Sequence, residues 1–200
     1  MAVVVVGGQS RKVGKTSVVE GLIRGLAEMR WTAMKVSEDG HGMAQRVGGP
    51  NEHRVAVSEE RNISARTDSS RYLAAGAVRS LWIRTRPGDL GAAMPLIHRE
   101  LGSAQNAIVE SNSILGFLQP DVFLMLLDPL TDDFKDSAHR YLDRADAVVV
   151  SEAGMKGKRG PMERIGGIPV LLMRPPEYVT GEVLAFVEAR LATGPRTASV

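Results

Sequence analysis

Short apolar runs alternate with longer amphipathic segments along most of the chain. Residues 2–6 form a continuous hydrophobic run, which predicts a strand buried on both faces. Residues 15–30 instead carry apolar side chains at helical spacing, which predicts the first helix. The pattern predicts further strands at 31–36, 77–84, 106–110, 121–127, 146–151 and 168–173, and further helices at 68–76, 91–101, 134–142 and 179–191.

This alternation predicts an α/β fold in three layers. We expect a doubly wound, mostly parallel sheet with helices on both faces and right-handed crossovers. In sheets of this kind a ligand site lies beyond the carboxyl ends of the strands. Residues at the ends of the predicted strands are therefore the first candidates for chemistry.

Residues 37–67 break the alternation. They are rich in glycine and charge and have little periodicity. Unstructured segments of this length in compact domains are usually functional or disordered, so we expect a mobile, switch-like insertion. Residues 155–167 suggest another loop, and 192–200 a frayed tail. No other shift in composition marks a boundary, so we expect 1–200 to be a single domain.

Composition excludes several function classes. Because none of the 200 residues is cysteine, disulfides, thiolate zinc sites and cysteine nucleophiles are ruled out. Basic residues total 25 against 23 acidic ones, and only 4% are aromatic, so we expect no nucleic-acid partner. The apolar runs fall far short of the ~20 residues that span a bilayer. We therefore expect a cytoplasmic protein without membrane contact.

The most specific motif is a glycine-rich turn at residues 7–17, between the first predicted strand and helix. This context is what a phosphate-binding P-loop needs, because inward-facing backbone amides and a helix N-terminus together attract an anion. Lys15 is predicted to reach the β- and γ-phosphates of ATP or GTP, and the Thr16 hydroxyl to ligate Mg²⁺. The predicted nucleotide-binding residues are Gly8, Arg11, Lys12, Val13, Gly14, Lys15, Thr16 and Ser17.

The spacing of this loop is unusual and resembles that of known families. Five residues separate Gly8 from Gly14, whereas the common P-loop has four. The pattern Gly8-x5-Gly14-Lys15-Thr16 resembles the loop of dethiobiotin synthetases. These belong to a wider class that includes cobyrinate amidases and the ParA/MinD group. The lysine that marks that class would fall at Ser10, which disfavours the ParA/MinD branch.

A second resemblance is to MobB, the molybdopterin-guanine dinucleotide biosynthesis protein B family. Residues 67–77 resemble a MobB Lys-Asp-Ser-x-Arg stretch that leads into Ala-Gly-Ala. Lys35, in Met-Lys-Val, matches the lysine that closes their second strand. Glu110 matches the acid of their Val-Glu-Gly, with Ser111 in place of the glycine. The resemblance covers about the N-terminal half of the chain, in patches.

These resemblances imply roles for the acids and bases around the loop. Comparable Asp and Glu residues complete the metal shell of dethiobiotin synthetases, which implies Thr16, Asp68 and Glu110 as Mg²⁺ ligands. Asp68 is equally well placed to be a helix N-cap. Lys35 is implied to hold a γ-phosphate or an anionic substrate, with a solvated strand-end lysine as the alternative. The predicted catalytic residues are thus Lys15, Lys35 and Glu110.

Other polar residues give weaker indications. His41 and His53 fit no metal-ligand spacing and are expected at the surface, and Asp128 is expected to start a turn. The guanine-specific Asn-Lys-x-Asp of related GTPases is absent after the strand that ends at Ser151. Ser151 or the loop at 174–176 is a candidate to contact the base, and the choice between ATP and GTP stays open.

Three functional hypotheses follow. The first is a MobB-like protein that binds a nucleoside triphosphate with Mg²⁺ and acts as a slow NTPase or an adaptor for a partner protein. The second is an ATP-dependent ligase or kinase of the dethiobiotin-synthetase type for a small carboxylate or carbamate, with Ser111 and Asn112 as candidates to bind the substrate. The third is a non-enzymatic, nucleotide-gated binding module. Both related families form dimers, which implies a homodimer.

Overall fold

The computed structural model describes residues 1–38, 55–64, 66–131, 133–155 and 165–194. Eight of its strands form one sheet, and the strands are β1 Val3–Gly8, β2 Trp31–Ser37, β3 Val55–Glu59, β4 Arg79–Thr85, β5 Asn106–Glu110, β6 Val122–Leu127, β7 Ala147–Ser151 and β8 Val170–Met173. Their order across the sheet is β3-β4-β2-β5-β1-β6-β7-β8. Neighbouring strands are parallel except for β3, which runs antiparallel to β4.

Helices cover both faces of this sheet. They are α1 Lys15–Gly25, α2 Asp68–Ala74, α3 Leu90–Ser103, α4 Asp136–Tyr141, α5 Glu152–Met155 and α6 Gly181–Ala192. Short 3-10 turns occur at Ala27–Met29, Ser113–Gly116 and Leu142–Arg144. The three-layer, mostly parallel α/β fold predicted from the alternation is confirmed.

The four valines of β1 explain how the layers hold together. Because successive side chains of a strand point to opposite faces, Val4 and Val6 pack with α1, α2 and α6, whereas Val3 and Val5 pack with α3 and α4. All four side chains are buried. Continuous burial of this kind is why the strand has no polar alternation in its sequence.

The main correction concerns the segment predicted as a loop at 37–67. Strand β3 lies inside it and pairs with β4, with Val57 opposite Ile83. The strand was missed because it is a short edge strand with exposed side chains, so it lacks the apolar run of a buried strand. Residues 39–54 and 65 of that insertion lie outside the described residues, as do 156–164 in the second predicted loop and 195–200 in the tail.

Helix α1 is shorter than predicted. It ends at Gly25 rather than near residue 30, because Leu26 has a non-helical backbone and Arg30 adopts a left-handed conformation with φ 53°. The indole N–H of Trp31 donates to the Leu26 carbonyl at 2.9 Å, which satisfies a carbonyl at this end of the helix. The apolar periodicity continued past the break because Met29 still packs on the same core.

The register of the central strands gathers polar residues at one edge of the sheet. Glu110, the last residue of β5, lies opposite Val6 of β1 on one side and opposite Lys35 of β2 on the other. Strand β1 ends at Gly8, two residues after Val6, and the glycine-rich turn begins there. Among the helices described here, none is long and apolar enough to cross a membrane.

Candidate functional site

The glycine-rich turn connects β1 to α1 through two residues in the left-handed region. Lys12 has φ 63° and Gly14 has φ 104°. A Cβ atom on Gly14 would lie only 2.9 Å from Cε1 of Tyr178, so both the backbone conformation and the close packing require glycine. Gly14 is the N-cap of α1 and supplies no side-chain cap, so this helix end relies on other groups for its backbone amides.

Lys15 curls back over the turn. Its ammonium donates to the Ser10 carbonyl at 2.9 Å. Burial lowers the pKa of Lys15 below its ordinary value of 10.5, and the charges of Lys135 and Lys35 act in the same direction. The Glu110 carboxylate opposes this change. Lys15 is therefore a partly buried cation whose charged form is disfavoured mainly by burial, and a bound anion would stabilise that form.

Glu110 joins the turn to α2 through one carboxylate oxygen. The Thr16 hydroxyl donates to Oε2 of Glu110 at 2.9 Å, and the Tyr72 hydroxyl donates to the same atom. Glu110 is 6% exposed and Tyr72 is fully buried. Burial, reinforced by the Glu110 carboxylate, raises the pKa of Tyr72 well above its ordinary value, so this phenol is a donor at neutral pH.

A second polar group lies across the cleft on α2. Asp68 forms a hydrogen-bonded ion pair with Lys35. Nη1 of Arg71 lies 4.0 Å from Oδ1 of Asp68, while its Nη2 donates to Ser17 at 3.0 Å and to Glu20. Lys35 and Arg71 are therefore both paired with acidic side chains, and Asp68 lies between them.

The alternative that Asp68 is a helix N-cap is wrong. Thr67 is the N-cap of α2: its hydroxyl accepts from the Ser70 amide at 3.1 Å, and the Ser70 hydroxyl accepts from the Thr67 amide at 3.2 Å. This reciprocal capping box satisfies the helix start one residue earlier. The Asp68 carboxylate is consequently available to Lys35.

Asn112 has a role that the sequence did not predict. Its Oδ1 accepts from the Gly8 amide at 2.8 Å, and its Nδ2 donates to the Gly8 carbonyl at 2.9 Å. These two bonds fix the start of the turn. The expectation that Asn112 binds a substrate therefore competes with an intramolecular role that occupies both ends of its amide.

Gln9 was also missed, although it stands where P-loops commonly have glycine. Its side chain is fully buried. Nε2 donates to the Thr131 carbonyl at 2.8 Å, and Oε1 accepts from the Asp128 amide at 2.9 Å. Asp128 also starts a turn, as predicted, by accepting from the Leu130 amide at 3.0 Å. Buried polar side chains need hydrogen-bond partners, so a buried glutamine in a turn indicates that the turn is bonded to a neighbouring segment.

These groups line one cleft of about 1040 Å³ at the carboxyl edge of the sheet. Of the predicted site residues it is lined by Gly8, Arg11, Lys12, Gly14, Lys15, Thr16, Ser17, Lys35, Asp68 and Glu110. Val13 does not line it, because its side chain packs into the core beneath the turn. The cleft is also lined by residues that were not predicted, among them Arg71, Phe134, Lys135, Ser137 and Tyr178.

The remaining candidates lie elsewhere. His41 and His53 fall outside the described residues. Within the described ranges, no three or more His, Asp or Glu side chains form a ready metal cluster. Ser151 accepts from the Gly154 amide at 3.0 Å, and Arg174 pairs with Glu152 at 2.7 Å. Neither Ser151 nor Arg174 lines the cleft.

The topology and the strand–turn–helix at its centre define the fold of the P-loop NTPases. HypB from Helicobacter pylori, solved in complex with nickel, is similar with a TM-score of 0.50 and 16% identity, covering 98% of this chain and 91% of that one. A LAO/AO transport system kinase is similar with a TM-score of 0.51 and 15% identity, covering 97% of this chain and 61% of that one. No family model and no curated protein matches the sequence.

Proposed function

We propose that this protein binds a nucleoside triphosphate, ATP or GTP, together with Mg²⁺ at the turn of residues 8–17. It then acts as a slow NTPase or as a nucleotide-dependent adaptor, as the MobB resemblance suggests. One observation carries the proposal: Lys15 and the Thr16–Glu110 hydrogen bond lie side by side at the end of β1, in the cleft where the turn meets α1.

The chemistry of the residues present fits Mg²⁺. The ion prefers hard oxygen ligands and keeps several waters. Thr16 and Glu110 supply a hydroxyl and a carboxylate 2.9 Å apart, and Asp68 lines the same cleft. These three residues would hold the ion, which would neutralise charge on the phosphates when bound. Because Asp68 is paired with Lys35, its participation competes with that ion pair.

The chain's own groups would do most of the remaining work. The backbone amides of the turn and the N-terminus of α1 would bind the phosphate oxygens. Lys15 would exchange its bond to the Ser10 carbonyl for a bond to the β- or γ-phosphate. Charge that develops on a transferred phosphoryl group would then meet preorganised donors, which is how such sites lower the barrier.

Calorimetric titration tests the proposal. The wild-type protein is titrated with the β,γ-imido analogues of ATP and GTP, with and without Mg²⁺. We expect Mg²⁺-dependent binding of one of them and its loss in Lys15→Ala. Arg99→Ala is a matched control, because Arg99 is a basic residue of α3 with a side chain that is 70% exposed. Wild-type binding to neither analogue, or unchanged affinity in Lys15→Ala, would contradict the assignment.

A second candidate function is ATP-dependent activation of a small carboxylate or carbamate. The Lys35–Asp68 pair favours it, because the cleft continues from this pair to Ser37, Glu38 and Gly88 and leaves room beside the turn. A ligase or kinase would release ADP only with its acceptor, in a one-to-one ratio with product. An adaptor or slow NTPase would release it slowly and without an acceptor. Measuring ADP release with and without a panel of small carboxylates separates the two.

A nucleotide-gated module without turnover is the third possibility. It would bind the analogue and release no phosphate, and its affinity for nucleotide would change with a partner protein. The homodimer implied by the related families is tested separately, by light scattering after size-exclusion chromatography with and without the analogue.

A further inference from the structure

The segment between β6 and α4 reaches the cleft from the side opposite to Lys35. In the strand order β2-β5-β1-β6, Lys35 lies near the carboxyl end of β2 on one side of the turn, and Lys135 follows β6 on the other. Both lysines line the same cleft as Lys15. Lys135 is half-buried and directly precedes α4. Three separate segments of the chain therefore place four lysines around one space, and these are Lys12, Lys15, Lys35 and Lys135.

The backbone of Lys135 is fixed to the turn. Its amide donates to the Gln9 carbonyl at 3.0 Å. The Gln9 side chain holds the preceding residues Asp128 and Thr131, and Nδ2 of Asn112, which is bonded to Gly8, also donates to Ser137 at 3.3 Å. These contacts come from two different strand ends. The position of Lys135 beside the turn is thus built into the fold.

The electrostatics of the cleft agree with this placement. The positive charge of Lys135 contributes to the lowered pKa of Lys15, more than that of Lys35 does. Like charges that line one cleft destabilise each other, and an anion bound between them would reduce this cost. Glu110 and Asp68 oppose the effect at Lys15, yet burial and the two lysines outweigh them.

Besides Lys15, the turn contributes Arg11 and Lys12 to the lining of the cleft. Ser10, between Gln9 and Arg11, is neutral, and its hydroxyl donates to the Arg11 carbonyl at 3.1 Å. Arg11 and Lys12 are exposed at the tip of the turn, where solvent and salt screen their charge. Lys135 is half-buried and its charge is less screened, so it is better placed than Arg11 or Lys12 to share the phosphates with Lys15.

We propose that Lys135 is a phosphate-binding residue of this site, which contacts the terminal phosphates of the nucleotide from the β6 side. The inference rests on the proposed function and assigns to Lys135 a contact with the polyphosphate from outside the turn. The ligand group is the polyphosphate and not the base, so the contribution of Lys135 is the same for ATP and GTP analogues.

Three variants test this inference by calorimetry with the Mg²⁺ complex of whichever imido analogue the wild type binds. Lys135→Gln removes the charge and Lys135→Arg keeps it. Arg140→Gln removes a charge from an exposed position of α4, the helix that Lys135 precedes. A hydrogen bond to a charged group contributes about 1.5–3 kcal/mol, so we expect roughly a 10- to 100-fold loss of affinity in Lys135→Gln. Lys135→Arg should retain most of the affinity, and Arg140→Gln all of it.

The outcomes separate this inference from the proposed function. If the wild type binds neither analogue, the proposed function fails. If the wild type binds and Lys135→Gln binds equally well, only the role of Lys135 is overturned. Equal losses in Lys135→Gln and Lys135→Arg would also overturn it, because they would indicate a displaced segment and not a lost charge. Melting temperatures of all three variants show whether each is folded.

Discussion

A single carboxylate oxygen of Glu110 organises the candidate metal site. Two hydroxyls donate to it, from Thr16 in the turn and from Tyr72 in α2. A buried carboxylate needs such donors, because burying it without them is costly. The two hydroxyls thus hold Glu110 in place before any ligand arrives, and Thr16 is oriented by the same bond.

Replacing Tyr72 by Phe removes one of these donors and keeps the ring. We expect the variant to need several-fold more Mg²⁺ for half-maximal nucleotide binding, because Glu110 is then held by Thr16 alone. Loss of the bond should also lower the free energy of unfolding by about 1.5–3 kcal/mol, measured by urea denaturation. Tyr141→Phe, outside the cleft, is the control. A Tyr72→Phe variant with unchanged Mg²⁺ requirement would remove Tyr72 from the site.

Glu110→Gln tests the carboxylate directly. The amide has nearly the same shape but carries no charge, so it should be a far poorer partner for Mg²⁺. We expect nucleotide affinity to become nearly independent of Mg²⁺ while binding without the ion persists. Titrating the analogue at several Mg²⁺ concentrations measures this. A wild-type dependence would show that Glu110 is not a ligand.

Local sequence patterns could predict only part of this chemistry. Lys15, Thr16 and Glu110 could be proposed because a motif or a strand end marks them. Tyr72 and Asn112 could not be found in the same way, because their bonds join residues 38 and 104 positions apart. Such contacts depend on the strand order, which no local pattern contains.

At the scale of elements, exposed ion pairs add to the backbone pairing that holds edge strand β3. Arg79 of β4 donates to Glu59 of β3 at 3.0 Å and to Glu100 of α3 at 3.1 Å. Its guanidinium lowers the pKa of Glu59 through their hydrogen bond, and hydrogen bonds from Arg99 and Arg79 lower that of Glu100. The three groups connect the strand to the sheet and to a helix.

The pKa shifts predict how the attachment of β3 depends on pH. Because folding lowers these carboxylate pKa values, the stabilisation is complete above the ordinary value of 4.5 and is lost as pH falls through the lowered folded-state values. We expect faster hydrogen exchange of the β3 amides at acidic pH. The pairs are largely exposed, so the effect should be small, about 0.2–1 kcal/mol for each pair.

Arg79→Gln provides the comparison for this effect. The variant should show weaker protection of β3 at neutral pH and little further change on acidification. If wild type and variant lose protection in parallel as the pH falls, the glutamates are not responsible.

Strand β3 also shows why some elements were predicted and others were missed. Buried strands carry an apolar run in the sequence, whereas an exposed edge strand held by charges does not.

For the molecule as a whole, we expect the site to reduce the stability of the protein without nucleotide. Lys15 is partly buried near two other lysines, and burial acts against its charged form. We expect Lys15→Met to raise the melting temperature of the free protein while abolishing the rise that nucleotide causes. At a ligand concentration of about 100 Kd that rise should be roughly 5–11 °C for a chain of this size.

Differential scanning calorimetry of both proteins, with and without the Mg²⁺ complex of the analogue, measures the two effects. A Lys15→Met protein that melts below the wild type in the absence of ligand would contradict the first expectation.

At the scale of the whole molecule, the alternation of strands and helices in the sequence was enough to predict the three layers. It could not predict the order of the strands, because crossover lengths permit several orders and only tertiary packing chooses among them.

The central place of β1 has a consequence for synthesis on the ribosome. Its partners are β5, at residues 106–110, and β6, at residues 122–127, so β1 leaves the ribosome long before either strand with which it pairs. At about 5–20 residues per second, the β1 segment waits roughly 5–25 s as an unpaired row of valines. During that time the turn after β1 cannot form its bonds to Asn112 and Thr131, because neither residue has yet been made. Nascent chains that stop before β6 should therefore be clients of chaperones and should not retain nucleotide.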